Sequence, residues 1–108
     1  MDVARIIFRK DKETNEILAF IENGVARYGN ILGYTHIGQH FESPVNYYKN
    51  ATIKATEDEY KPLLEELKEV YGDYTIEIKK RLNMENLRDM WKYMIDGLSR
   101  WEFPEVRK

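Results

Sequence analysis

The sequence predicts an α+β fold, with an N-terminal β-hairpin and one or two further strands in a small sheet packed by two helices, in the order ββ(β)αβα. Three observations predict it. Two runs with a period of two flank a polar break near the N-terminus, a helical stripe with a complete start signal follows residue 56, and another alternating run leads into a second helical stripe.

From Val3 to Lys10, Ala4, Ile6 and Phe8 share one face while Val3, Arg5, Ile7 and Arg9 share the other, which is the alternation of a strand. Asp11-Lys12-Glu13-Thr14-Asn15 breaks the pattern. Glu16 to Glu22 resumes it, with Ile17, Ala19 and Ile21 opposite Leu18 and Phe20, so the two runs read as a hairpin. Apolar residues on both faces imply a sheet covered on both sides. Gly24, Gly29, Gly33, Gly38 and Pro44 then punctuate the chain; a third strand is expected around Ile31 to Ile37, and Phe41 to Lys54 reads as an ordered loop anchored by Tyr47, Tyr48 and Ile53.

Thr56-Glu57-Asp58-Glu59 is a capping box, and its acids suit the positive end of a helix dipole. Tyr60, Leu63, Leu64, Leu67, Val70 and Tyr71 form one apolar stripe, Gly72 is expected just past the helix end, and Pro62 is expected to bend it. Tyr74, Ile76 and Ile78 predict a half-buried strand over residues 73–80 that ends in Lys79-Lys80-Arg81. Asn83 is an N-cap, Leu82 and Leu87 stand as a hydrophobic staple, and Leu87, Met90, Trp91, Met94, Ile95 and Leu98 make the face of a helix ended by Phe103-Pro104. Residues 1–108 therefore read as one domain, with 82–108 a C-terminal helix and tail.

A chain of 108 residues with 43% hydrophobic, 33% charged and 13% aromatic content carries enough apolar sequence for one core, which excludes wholesale disorder. Seventeen Lys and Arg against nineteen Asp and Glu leave a net charge of -2, which argues against a grip on nucleic acid or anionic lipid by bulk charge. With no cysteine there is no disulfide, thiolate metal site or cysteine nucleophile. Charges at Asp2, Arg5, Arg9 and Lys10 interrupt any leader-like apolar run, and no run approaches the roughly 18 residues of a membrane span, so a cytoplasmic protein without membrane contact is expected.

The two histidines lie in Tyr34-Thr35-His36-Ile37-Gly38-Gln39-His40. A pair four apart converges only on a helix, which Gly38 opposes; on an extended chain the two Cα atoms would be about 13 Å apart, too far to share a metal. No HExxH or acidic cluster adds ligands, Ser43 and Ser99 lie in no nucleophile motif, and the glycines match neither GxGxxG nor a P-loop. No catalytic residue, metal or cofactor is expected.

Two interaction surfaces remain. Arg5, Arg9, Lys79, Lys80 and Arg81, with Tyr47-Tyr48-Lys49 interleaving aromatics and a base, offer a sheet edge for single-stranded nucleic acid, or else a solvated edge that discourages aggregation. Met90, Trp91, Met94, Trp101 and Phe103 concentrate side chains typical of interface cores, or else close the domain's own core. His36, Gln39 and His40 join them as candidates for protein contact, a homodimer included.

Arg5-Ile6-Ile7-Phe8-Arg9-Lys10, Thr35-His36-Ile37-Gly38-Gln39-His40, Tyr47-Tyr48 and Ala55-Thr56-Glu57-Asp58-Glu59-Tyr60 with Leu63-Leu64-Glu65-Glu66-Leu67 together resemble a family of short, uncharacterised proteins encoded on phages and mobile elements of gut bacteria, Bacteroides relatives in particular. The resemblance spans about residues 5–81, and the Trp-rich helix extends beyond it. It implies a genomic setting and brings no catalytic residues. The expected function is that of a non-enzymatic accessory protein acting through a protein partner or itself, with nucleic-acid binding as the alternative.

Overall fold

A computed structural model describes residues 3–36 and 39–101, with side chains described as far as Lys92. The order of elements is β1 (Val3–Asp11), β2 (Ile17–Ile21), β3 (Asn30–Thr35), β4 (Gln39–Pro44), α1 (Val45–Ala51), β5 (Thr52–Lys54), α2 (Glu57–Val70), β6 (Thr75–Lys79) and α3 (Met84–Trp101). The fold is α+β. β1 to β4 form an antiparallel meander, and the chain then returns to the outer edge of β1, where β5 pairs antiparallel with Arg9 to Asp11 and β6 pairs parallel with Val3 to Ile7.

The period-2 runs are true strands because both faces of the sheet are covered. Adjacent Ile6 and Ile7, and adjacent Ala19 and Phe20, go to opposite faces and enter two separate cores. On one face α2 lays Leu63 and Leu67 over Ile6, Phe8 and Ile21, with the Tyr60 ring stacked on Phe8 at 4.1 Å. On the other, Val45 and Tyr48 of α1 and Leu87 and Trp91 of α3 cover Ile7, Phe20 and Ile31.

Residues 41–54, expected as a loop, hold an edge strand, a short helix and a three-residue strand. Their sequence hides this for physical reasons. β4 buries one face only and shows little apolar alternation. α1 begins at Pro44 with no side-chain cap bond and no acid in its first turn, so burial of Val45 and Tyr48 forms the helix rather than local propensity. Thr52 then donates from Oγ1 to the Tyr48 carbonyl, which closes the helix end.

The third strand ends at Thr35; Ile37, in its expected range, lies outside the described residues. The first hairpin turns at Asn15, which takes the left-handed conformation (φ 65) while Asp11 Oδ1 accepts from the Glu13 and Thr14 N–H groups. α2 forms its capping box through Thr56 and Glu59 and runs through Pro62. Asp58, whose carbonyl Pro62 cannot satisfy, and Pro62 itself are both exposed, so water can take that carbonyl. Gly72 follows the helix as expected, but the end closes through the Tyr71 N–H on the Leu67 carbonyl, with no left-handed glycine. Asn83 caps α3, accepting at Oδ1 from Glu85 and Asn86; Phe103-Pro104 lies outside the described residues. Among the described residues no helix is long and apolar enough to cross a membrane.

Candidate binding groove

The α1 face of the sheet is only partly covered. β2, β3 and β4 place Phe20, Gly33 and Phe41 in one cross-strand row and Leu18, Thr35 and Gln39 in the next. Phe41 lies flat on Gly33, where a Cβ would come within 2.2 Å of its ring, and meets Phe20 edge to face at 5.9 Å. Tyr48 covers Phe20 from above, with ring centroids 5.2 Å apart. Helix α1 is seven residues long and stops there, so Thr35 and Gln39 of the next row stay accessible above a buried Leu18.

The result is a groove of about 420 Å³ with Leu18, Phe41, Pro44 and Tyr47 as apolar walls and Glu16, Thr35, Gln39, His40 and Ser43 as polar ones. Tyr47 donates its hydroxyl to Asp11 Oδ2 at 2.5 Å, which fixes the ring. Burial and the Asp11 carboxylate push this phenol well above its ordinary value, so it stays neutral, and its hydrogen bond holds the Asp11 carboxyl below the usual range. Hydroxyls, an amide and one carboxylate around an apolar floor suit the holding of a chain segment; Ser43 Oγ, the nearest nucleophile type, is turned to the Pro44 carbonyl at 3.5 Å.

Among the described residues, β4 is the last strand on this side of the sheet. The Val45 N–H bonds the Gly29 carbonyl just beyond the Asn30 and Pro44 pair, so Ile31 with Ser43, Gly33 with Phe41 and Thr35 with Gln39 are the hydrogen-bonded pairs. His40 and Glu42 therefore turn their backbone N–H and C=O groups outward along the open edge.

His36 and His40 both sit on the α2 side but with different partners. His36 Nδ1 lies 2.7 Å from Glu66 Oε1, and the Tyr34 hydroxyl donates to the other oxygen of the same carboxylate. His40 Nε2 lies 2.6 Å from the Tyr71 hydroxyl. The pair latches the β3–β4 hairpin to the C-terminal half of α2 and shares no ligand; among the described residues no group of three His, Asp or Glu could hold a metal. The sequence reading missed Glu66, and it placed Tyr71 in the apolar stripe, where it packs against the core, without its bond to His40. Glu66 follows Leu63 by three and precedes Val70 by four, beside the apolar stripe, and that spacing was the available signal.

Three of the basic candidates are engaged within the fold. Arg5 pairs with Glu77 at 3.4 Å, and Arg9 donates to Thr52 Oγ1 and the Thr52 carbonyl while lying 4.7 Å above the Tyr48 ring. Lys79 bonds both oxygens of Glu22, at 2.9 and 2.8 Å. Lys80 and Arg81 are exposed. Glu22 was also missed: it is fully buried and accepts further bonds from the Asn83 N–H and Asn86 Nδ2, tying β2 and β6 to the start of α3. Its parity with Leu18 and Phe20, which places it on an apolar face, was the clue.

No family model, curated protein or solved structure matches this chain.

Of the C-terminal candidates, Trp91 belongs to the protein's own core. It is 7% exposed, donates from Nε1 to the Asn30 carbonyl at 2.7 Å and packs against Tyr28 at 5.1 Å, so it is not an available contact residue. Met90 is half-buried. The side chains of Met94 and Trp101, and all of Phe103, lie outside the described residues. Gln39 and His40, by contrast, line the groove and the open edge together.

Proposed function

We propose that the protein is a non-enzymatic accessory factor of a phage or mobile element that works in the cytoplasm by contact with another polypeptide or with itself, using the groove and the adjoining edge of β4. One observation carries this reading: the groove opens beside a strand whose outward amides can bind main chain, while its walls offer an apolar seat and polar rim for side chains. The setting rests on the sequence resemblance. The nucleic-acid reading has weaker support, because Arg5, Arg9 and Lys79 are already engaged with Glu77, Thr52 and Glu22.

A photo-crosslinking side chain placed at Gln39 tests the proposal against the same group at Glu69, an exposed position on α2. Expression in the host should give a polypeptide adduct from position 39 and none from 69. Equal yields, or no adduct from 39, would remove the reading.

A further inference from the structure

The open edge of β4 is complementary to itself, and we propose that it pairs antiparallel with β4 of a second copy about a two-fold axis at Phe41. This rests on the protein-contact reading above and names the occupant. His40 and Glu42 present their N–H and C=O groups outward, so they must form the hydrogen-bonded pairs with any added antiparallel strand. Setting His40 of each copy opposite Glu42 of the other meets that requirement twice at once, and in this register Phe41 faces Phe41.

The cross-strand neighbours then match. An imidazole lies opposite a carboxylate on the α2 face, Gln39 lies opposite Ser43, and at the axis each Phe41 ring is folded back on its own Gly33, so nothing bulky stands between the two strands. His40 already uses Nε2 for Tyr71, and Glu42 uses Oε1 for Arg27 and Asn30, so Nδ1 and Oε2 are the atoms that would meet. The neighbouring registers fail. A slip of two residues sets Glu42 against Glu42 and His40 against Pro44, which has no N–H, or else sets His40 against His40. A contact in which the same patch serves both copies closes as a dimer and does not propagate, and it joins the two six-stranded sheets edge to edge.

The test is sedimentation equilibrium combined with charge exchange. The natural chain should reach twice its 13.0 kDa mass and dissociate on dilution. His40→Glu and Glu42→Lys should each, alone, self-associate roughly tenfold or more weakly, because the first sets a carboxylate opposite the Glu42 carboxylate and the second removes the carboxylate opposite His40. Mixing the two variants sets the new carboxylate opposite the new ammonium and should restore the dimer, which also shows that both are folded. The chain has no cysteine, so introduced thiols report the register. Gln39→Cys mixed with Ser43→Cys should form a disulfide on oxidation, since those Cα atoms would lie about 4.5 Å apart, whereas Gln39→Cys alone should not. A natural chain that stays monomeric at every concentration, variants that dimerise unchanged, a mixture that restores nothing, or Gln39→Cys coupling alone as fast as in the mixture would each overturn the proposal. A monomer that still gives an adduct of another mass from position 39 removes this inference and leaves the protein-contact reading standing.

Discussion

Glu22 is a carboxylate at 0% exposure, a state that is stable only when the charge is fully partnered. Burial by itself pushes its carboxyl up; bonds from Lys79, the Asn83 N–H and Asn86, with the charge of Lys79, outweigh burial and hold it below the ordinary 4.5. A carboxyl lowered by folding stabilises the fold fully above its unfolded value, and that stabilisation disappears as pH falls through the folded value. Denaturant midpoints should therefore stay level above about pH 5 and fall in stronger acid. Lys79→Met leaves the buried charge without its cation and should cost about 3 kcal/mol in urea unfolding at neutral pH. Gly33 is constrained by space rather than by torsion. Its φ is not positive, but a methyl there meets the Phe41 ring, so Gly33→Ala should cost about 1–3 kcal/mol and move Phe41 into the groove, visible as a changed aromatic NMR shift.

Helices α1 and α2 differ in what makes them helical. α2 carries its own start signal, with Thr56 Oγ1 accepting from the Glu59 N–H and the Glu59 side chain accepting from the Thr56 N–H. Its limits were legible in the sequence for that reason. Thr56→Ala should cost about 1 kcal/mol in thermal or denaturant unfolding. α1 has no such signal and depends on Tyr48, whose ring packs on Phe20, lies under Arg9 and accepts the Leu82 N–H at its hydroxyl. All three partners are distant in sequence, so no local window of residues 41–54 could show a helix. The hairpin of β1 and β2 was legible because both faces of each strand are buried and the apolar pattern is dense. β4 was not, because an edge strand with one covered face carries only Phe41 as a signal.

Across the whole molecule, the two faces of one sheet carry two cores that share β1, β2 and β3. Loss from either should weaken both. Trp91→Ala removes a buried ring and its bond to Asn30, and should cost about 3–5 kcal/mol in a single transition that also releases α2, followed by hydrogen exchange at Leu63 and Leu67. The sequence by itself determined the fold class, the first hairpin, both long helices and β6, because each of these repeats an apolar pattern at its own period or bears its own cap. It also determined what bulk charge and the absence of cysteine exclude. The tertiary structure alone decided which charges are spent inside the fold, that Trp91 faces inward, and that a seven-residue helix leaves Thr35 and Gln39 accessible beside the edge of β4. Those outcomes depend on which strand ends a sheet and how far a helix reaches across it, and both follow from pairings between residues far apart in the chain, which no local periodicity encodes.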